Sequence, residues 1–365
     1  MKQVLLLGAL DGGRLLGDAR CTAVREALPD VHLIVGGRDE LPADLSPSCE
    51  AMPTSAGTLE AAVRDADAVV VCGDPFEHPL LPFLARVGAQ RRGTPVALLG
   101  VGAIARHGRD TTRLAARLAR AADLLVLRDE SSTAGLASIG VAGPYRIGAD
   151  PAWATLRTNG YRDARDRARI TVAVPGLCPG RQHIVDLASA IDALPDDLSV
   201  RVVNSDDDGD RERASDLVHA LRRDAVIEQL GPDLAAIASA LVGDRLTVTG
   251  SVAIAMASAA VGTPVLSLTA DAEHIALGRR LEQLTVYPDA TTAVLQHACE
   301  LALTSRGPDP DAVDQEIARA NHALAQVRAL VDPPPFGTNG AGQPSGAQLP
   351  AGTAASRRRG PTLNA

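Results

Sequence analysis

The sequence predicts an α/β protein built from two Rossmann-like halves. Short apolar runs that end in glycine or in charged residues alternate with stretches of helical periodicity, from the first residues to about position 330. Apolar residues make up 46% of the chain but aromatics only 2%, so the core is largely Ala, Val and Leu, as helices packed on buried parallel strands require. The alternation breaks once, between Pro151 and Arg169, where Asn159-Gly160 and interleaved Arg and Asp replace apolar periodicity, and then restarts. The expected boundaries are an N-terminal domain over 1–155, a hinge over 156–169, a C-terminal domain over 170–331 and a tail over 332–365.

In the first half, Met1 to Gly8 reads as a strand, Ala9 to Asp18 as a glycine-rich loop and Ala19 to Leu28 as a helix. Gly8, Gly12, Gly13 and Gly17 do not fit the GxGxxG spacing, so a dinucleotide cofactor is not expected, and no other cofactor is implied. Strands follow at Val31–Gly36 and Ala66–Gly73, with helices at Thr58–Asp65 and Pro79–Arg91. The stretch 93–153 carries the most information. PVALLG is a buried strand closed by Gly100-Val101-Gly102. Thr111 to Ala122 places Leu114, Leu118 and Ala121 on one helical face. Asp123 to Leu127 is the next strand, stopped by Arg128-Asp129-Glu130-Ser131-Ser132, of which Asp129, Ser131 or Ser132 can cap the following helix. Gly148-Ala149-Asp150-Pro151 ends a further strand and turn. Chemistry in parallel α/β sheets gathers at the carboxyl ends of strands, where these three groups fall.

In the second half the expected strands are Ile170–Gly176, Leu198–Asn204, 225–230, 245–250 and Pro264–Leu268. Helices are expected at His183–Ala193, Arg211–Arg222, Asp233–Leu241, Val252–Val261, Glu273–Gln283, Thr292–Leu303 and Asp311–Leu330. Asp206-Asp207-Asp208 suits a helix N-terminus or a cation. Beyond Val331 the composition collapses to Pro, Gly, Ser, Thr, Ala and Asn, which cannot bury a core and predicts disorder.

The net charge of −8, with no dominant basic block and few aromatics, argues against a nucleic-acid partner. No apolar run reaches the length of a membrane span and no leader opens the chain, so a cytoplasmic protein is expected. Five scattered cysteines without CxxC predict reduced thiols and no metal site.

Several of these stretches, in this order, are similar to the polysaccharide pyruvyl transferase family. Leu15 to Ala19 (LLGDA) resembles its N-x-G-D element, ADAVVVCGD its glycine-rich strand end and TPVALLGVGAI its second glycine strand. LLVLRDESSTAGLASIGV and GADPAW resemble its R-D…S and A-D-P elements in residue type and spacing. The resemblance covers roughly residues 3–270. It implies a GT-B-like arrangement with the site between the domains. It also implies transfer of the enolpyruvyl part of phosphoenolpyruvate to a sugar of a cell-surface polysaccharide precursor, as a ketal. The partners would be phosphoenolpyruvate and a sugar or lipid-linked sugar, the latter bringing the protein near a membrane. By the same resemblance the ligand-contacting positions are Gly17, Gly73, Gly100, Gly102, Arg128, Asp129, Asp150, Gly250 and Ser251, with Asp18 among the motif acids. Arg128-Asp129 also reads as a structural ion pair at a strand end.

The sequence departs from the family in its second half. Counting back from Pro264 puts Ser251 at the family's Arg and Ala253 at its His, and neither can hold an anion or move a proton. Arg245, His274 and Arg279-Arg280 are the nearest replacements, His183 and His107 further ones. We take His274 and Asp18 as the catalytic candidates. Three functions compete: a pyruvyl transferase, a GT-B-type glycosyltransferase on a nucleotide sugar, and a non-catalytic homologue binding a sugar or a partner.

Overall fold

The computed structural model describes residues 1–8, 14–36, 41, 49–52, 56–76, 78–90, 93–102, 109–157, 168–174, 177, 180–204 and 208–333. The first half forms a parallel sheet of β1 (Lys2–Leu7), β2 (Val31–Gly36), β3 (Cys49–Met52), β4 (Ala68–Cys72), β5 (Val96–Val101), β6 (Leu124–Leu127) and β7 (Arg146–Ile147). Their order is β3-β2-β1-β4-β5-β6-β7, so the winding reverses between β1 and β4. Between them run α1 (Arg14–Ala27), α2 (Ala56–Asp65), α3 (Leu81–Gln90), α4 (Arg109–Ala121) and α5 (Ser131–Ser138), and a 3-10 turn (Pro151–Thr155) follows. The central strands are buried on both faces, which is why their sequences read as unbroken apolar runs.

The second half repeats the plan. Its parallel sheet runs β10-β9-β8-β11-β12-β13, formed by β8 (Arg169–Ala173), β9 (Ser199–Asn204), β10 (Ala225–Gln229), β11 (Leu246–Thr249), β12 (Val265–Leu268) and β13 (Leu284–Val286). Its helices are α6 (Arg181–Asp192), α7 (Asp208–Ala220), α8 (Leu234–Leu241), α9 (Val252–Ala260), α10 (Ala272–Arg280), α11 (Thr292–Thr304) and α12 (Pro310–Val331). Two Rossmann-like halves therefore stand in the chain, as the alternation of elements predicted.

The structure corrects some boundaries. α1 begins at Arg14, so Gly17 and Asp18 are helical rather than part of a loop. Leu16, Ala19, Ala23 and Val24 are buried along this helix, and their packing outweighs one helical glycine, which costs about 1 kcal/mol. β3 and β13 were not expected: each is a short edge strand with one paired neighbour and half-buried side chains, so neither shows an apolar run. The glycine loop over 9–13, His107, Asp206-Asp207 and most of the expected hinge lie outside the described residues.

The two halves share a core. Leu16, Ala19, Ala152 and Trp153 of the first half pack in one cluster with Ile254, Met256, Leu277 and Val313 of the second. α12 extends this contact. Its residues Ala323, Leu324, Val327 and Val331 lie against Val4, Leu6, Val70 and Val126 of the first sheet. Lys2 Nζ donates to the Val331 carbonyl at 2.7 Å and to Asp332 Oδ1 at 2.8 Å, tying the end of α12 to β1. The chain divides into this unit, Met1–Asp332, and the segment Pro333–Ala365. The tail expected to be disordered lies outside the described residues from 334 on. No helix among the described residues is long and apolar enough to cross a membrane, and no three His, Cys, Asp or Glu side chains among them group as metal ligands.

Candidate functional site

The apolar run of β6 ends at Leu127, and the next residue, Arg128, turns its guanidinium across the carboxyl ends of the neighbouring strands. Its backbone N–H donates to the Val101 carbonyl at 2.9 Å, which holds the turn beside β5. β5 shifts register between Leu98 and Val101, and Gly100 inside this irregularity has φ +65°. A Cβ on Gly100 would overlap the Pro151 ring, and one on Gly102 would overlap Arg128 Nη2 and Asp74 Oδ1. These two glycines therefore leave room for protein side chains. At the end of β4, Gly73 (φ +86°) turns the chain so that Asp74 faces Arg128.

Arg128 is 3% exposed. Its Nη2 donates to both Asp74 oxygens, at 2.9 and 2.8 Å, and Asp74 Oδ1 also accepts from Gly102 N at 2.8 Å. Its Nη1 donates to Glu273 of α10 and lies 3.6 Å from Asp150 Oδ2. Asp150 in turn accepts from Arg20 Nε at 3.0 and 3.1 Å and from Arg20 Nη2. It also caps the 3-10 turn through Ala152 N. Arg20 is fully buried on α1. Sequence reasoning did not select Arg20, Asp74 or Glu273. Arg20 had a signal: it stands between Leu16 and Val24 at spacings of four, and an arginine inside an apolar helical stripe needs a buried partner.

Two guanidiniums thus meet three carboxylates in a desolvated pocket. Burial opposes the charge on Arg128, yet Glu273, Asp74 and Asp150 outweigh it and hold its pKa above the usual arginine range. Burial raises the Asp150 pKa, but the Arg20 and Arg128 charges overcome this and hold it below the usual carboxylate range. Glu273 goes the other way. Desolvation, with Asp74 and Asp150 nearby, pushes it up to about 8 against the pull of Arg128. The surplus carboxylate holds the surplus proton, at a side chain still 19% exposed at the edge of the cluster.

Asp129 points the other way. Its Oδ1 accepts from Ser131 Oγ (2.6 Å), Ser132 Oγ (2.8 Å) and Ser132 N (2.9 Å), capping α5. Its Oδ2 accepts from Arg280 Nη1 at 3.3 Å, and Arg280 also donates to Glu316 of α12. Burial opposes ionisation of Asp129, but the serine hydroxyls and Arg280 keep its pKa low. α10 is therefore fixed to the Arg128-Asp129 dipeptide by two contacts, the hydrogen bond that Arg128 donates to Glu273 and the ion pair of Arg280 with Asp129.

The remaining predicted positions are spread more widely. His274 is 1% exposed, with Nε2 2.9 Å from Ser267 Oγ of β12; burial, opposed by Asp271, lowers its pKa to about 4. Its ring faces the second sheet, while its neighbour Glu273 faces the cluster. Asp18 is buried on α1 and lines a gap with Thr22, Thr155 and Asp233. Gly17 lies in the interior of α1. Gly250 and Ser251 form the half-buried turn from β11 into α9, where Ser251 N donates to Thr249 Oγ1 at 3.0 Å. Ala253, at the place of the family histidine, is buried in the shared core. Arg245 precedes β11, at the amino end of that strand and away from the cluster.

The family model of polysaccharide pyruvyl transferases matches residues 12–270. Among curated proteins no significant match was found. Similar solved structures include a UDP-GlcNAc 2-epimerase from Methanocaldococcus jannaschii (TM-score 0.62, 16% identity, 90% of this chain and 99% of that chain). The UDP-GlcNAc-bound 2-epimerase of Neisseria meningitidis gives TM-score 0.59 at 13% identity, over 90% and 99% of the two chains. Anabaena HepE in complex with UDP gives TM-score 0.57 at 14% identity, over the same shares. At these identities the likeness concerns the fold alone: two Rossmann-like halves in a GT-B-like arrangement.

Proposed function

The chain belongs to the polysaccharide pyruvyl transferase family, and from that premise we propose that it transfers the pyruvyl group of phosphoenolpyruvate to a sugar of a cell-surface polysaccharide precursor, in the cytoplasm. The observation that carries this reading is the convergence of the family-like motifs. Gly73-Asp74, Gly100-Val101-Gly102, Arg128 and Asp150 come together at the carboxyl ends of one sheet, and Glu273 reaches them from the other half. In ketal formation the methylene carbon of phosphoenolpyruvate gains a proton and its C2 gains a sugar oxygen. A second sugar hydroxyl then displaces phosphate. Glu273 suits the acid role, because it holds its proton near neutral pH at the edge of the cluster. Arg128 and Arg20 set its environment. His274 and Asp18 keep a place as positioning residues, His274 by anchoring α10 to β12 through Ser267 and Asp18 at the face of α1 turned toward α8.

A specific observation favours a second reading, a homologue that binds a sugar without transferring pyruvate. Arg128 is already engaged by carboxylates, and Ser251 and Ala253 stand where the family carries its cation and histidine. Asp74 and Glu273, 20% and 19% exposed, offer hydrogen-bond acceptors to hydroxyls rather than cations to a phosphate. A glycosyltransferase on a nucleotide sugar has less support, because α9 carries no carboxylate to grip a ribose.

The test is calorimetry with phosphoenolpyruvate on the wild type and Glu273→Gln, followed by a phosphate-release assay with sugar acceptors. Binding, with phosphate release abolished in Glu273→Gln, is the outcome expected of a transferase. Sugar binding without any phosphoenolpyruvate heat, alone or after sugar, refutes transfer in favour of the second reading.

A further inference from the structure

The charge of this acidic chain is unevenly distributed. Residues 81–122 carry eight arginines and one acid, Asp110, within a protein of net charge −8. α4 presents four of those arginines, Arg109, Arg113, Arg117 and Arg120, all exposed and spaced by four, four and three residues. That spacing confines them to a sector of about 80° and a length of about 16 Å. The opposite face, with Ala115, Leu118 and Ala119, is buried in the core of the first half. Among the described residues none of the four arginines meets a carboxylate; Arg120 donates to the Gly140 carbonyl at 2.9 Å, and no acid side chain competes there. Arg109, Arg113 and Arg120 also line a depression of about 310 Å³ with Thr112, Ala116 and Ile139.

We infer that the arginine face of α4 is a docking surface for an anionic lipid bilayer, with the depression receiving a phosphodiester headgroup. A row of delocalised, forked guanidiniums with no carboxylate partner among the described residues matches a layer of phosphate groups. The nucleic-acid alternative would want aromatic stacking residues, and none stands on this helix. The placement is consistent with a lipid-linked acceptor. α4 follows β5, so its Arg109 end lies at the end of the sheet that carries Gly102 and Arg128, and a lipid held along the stripe would bring its sugar toward that end. The inference rests on charge and packing and stands whether or not the protein transfers pyruvate.

Flotation with vesicles of phosphatidylcholine alone, and with roughly one-third phosphatidylglycerol, tests it. The full chain should float with the anionic vesicles at low salt, not with the neutral ones, and be released by high salt. Each arginine removed should weaken partitioning about fivefold, so Arg109→Gln/Arg113→Gln/Arg117→Gln should lose about a hundredfold. Its melting temperature should be unchanged, because all three side chains are exposed. The inference is overturned if the wild type ignores anionic vesicles at low salt, or if the triple variant floats as well as the wild type. Binding to an acidic polymer or single-stranded DNA but not to vesicles overturns it equally.

Discussion

Replacing Arg20 by Met tests whether the buried charge cluster holds the first half together. The side chain of Arg20 is fully buried, and its partner Asp150 is 3% exposed, so water cannot take over when the guanidinium is removed. At the 3.0 Å separation of Arg20 Nε and Asp150 Oδ1 the attraction is roughly 5 kcal/mol for an effective dielectric near 20. Arg128, 3.6 Å away, and Ala152 N retain part of the compensation. Breaking a buried pair from one side costs about 3–5 kcal/mol, and the remaining partners place Arg20→Met near 3. Equilibrium urea unfolding measures this directly. The pH dependence adds a second check. The folded-state pKa of Asp150 is depressed in the wild type, so its contribution is fully present above the unfolded pKa and is lost as pH falls through the folded value. Without Arg20, Asp150 takes up a proton more readily, so the deficit of the variant should shrink from pH 7 to pH 5. A loss below 1 kcal/mol at pH 7, or a deficit that does not change with pH, would refute the reasoning.

Three further predictions follow from the same geometry. Glu273 titrates near 8 in the folded protein, so its ionisation costs stability as pH rises from the unfolded value through 8. Glu273→Gln should therefore gain roughly 1–3 kcal/mol relative to the wild type between pH 5 and pH 8.5 in parallel urea titrations. Buried, neutral His274 must take up a proton on unfolding in acid, so the wild type should lose up to about 3 kcal/mol between pH 7 and pH 4. His274→Asn should flatten that slope in thermal melts, and an unchanged slope would assign it to other groups. Gly102→Ala would drive a methyl into Arg128 and Asp74, two side chains locked by their ion pairs. A loss of about 1–3 kcal/mol is expected by chemical denaturation, together with loss of whatever ligand the wild type binds in calorimetry.

The chain's periodicity was enough to place the buried strands. β1, β4, β5, β6, β8 and β12 read as apolar runs because both of their faces are covered, and the glycines and charges that stop them mark the carboxyl ends where the candidate site lies. The edge strands β3 and β13 were not legible, since a half-exposed edge has no apolar run to show. The start of α1 was misread because a glycine and an aspartate near a helix start, Gly17 and Asp18, look like a loop until Leu16 and Ala19 are seen buried.

For the site, local sequence determined which residues stand at strand ends: Arg128, Asp129, Gly73, Gly100 and Gly102 follow from where an apolar run stops, and Asp150 from the Gly-Ala-Asp-Pro turn after the short, exposed β7. Their partners came only with tertiary structure. Arg20 reaches Asp150 across 130 residues, and Glu273, beyond the segment matched by the family, reaches Arg128 across 145. The two members of Arg128-Asp129 face opposite ways, one into the charge cluster and one onto the cap of α5 and Arg280, which no one-dimensional pattern distinguishes. The physical reason is that strand and helix periodicity is a local property of the chain, whereas the state of a charge depends on which distant groups share its desolvated pocket. Sequence alone therefore determined the α/β plan and the ends of its strands. The fold decided which carboxylates engage Arg20 and Arg128, which carboxylate keeps a proton, and that α12 returns to close the first sheet.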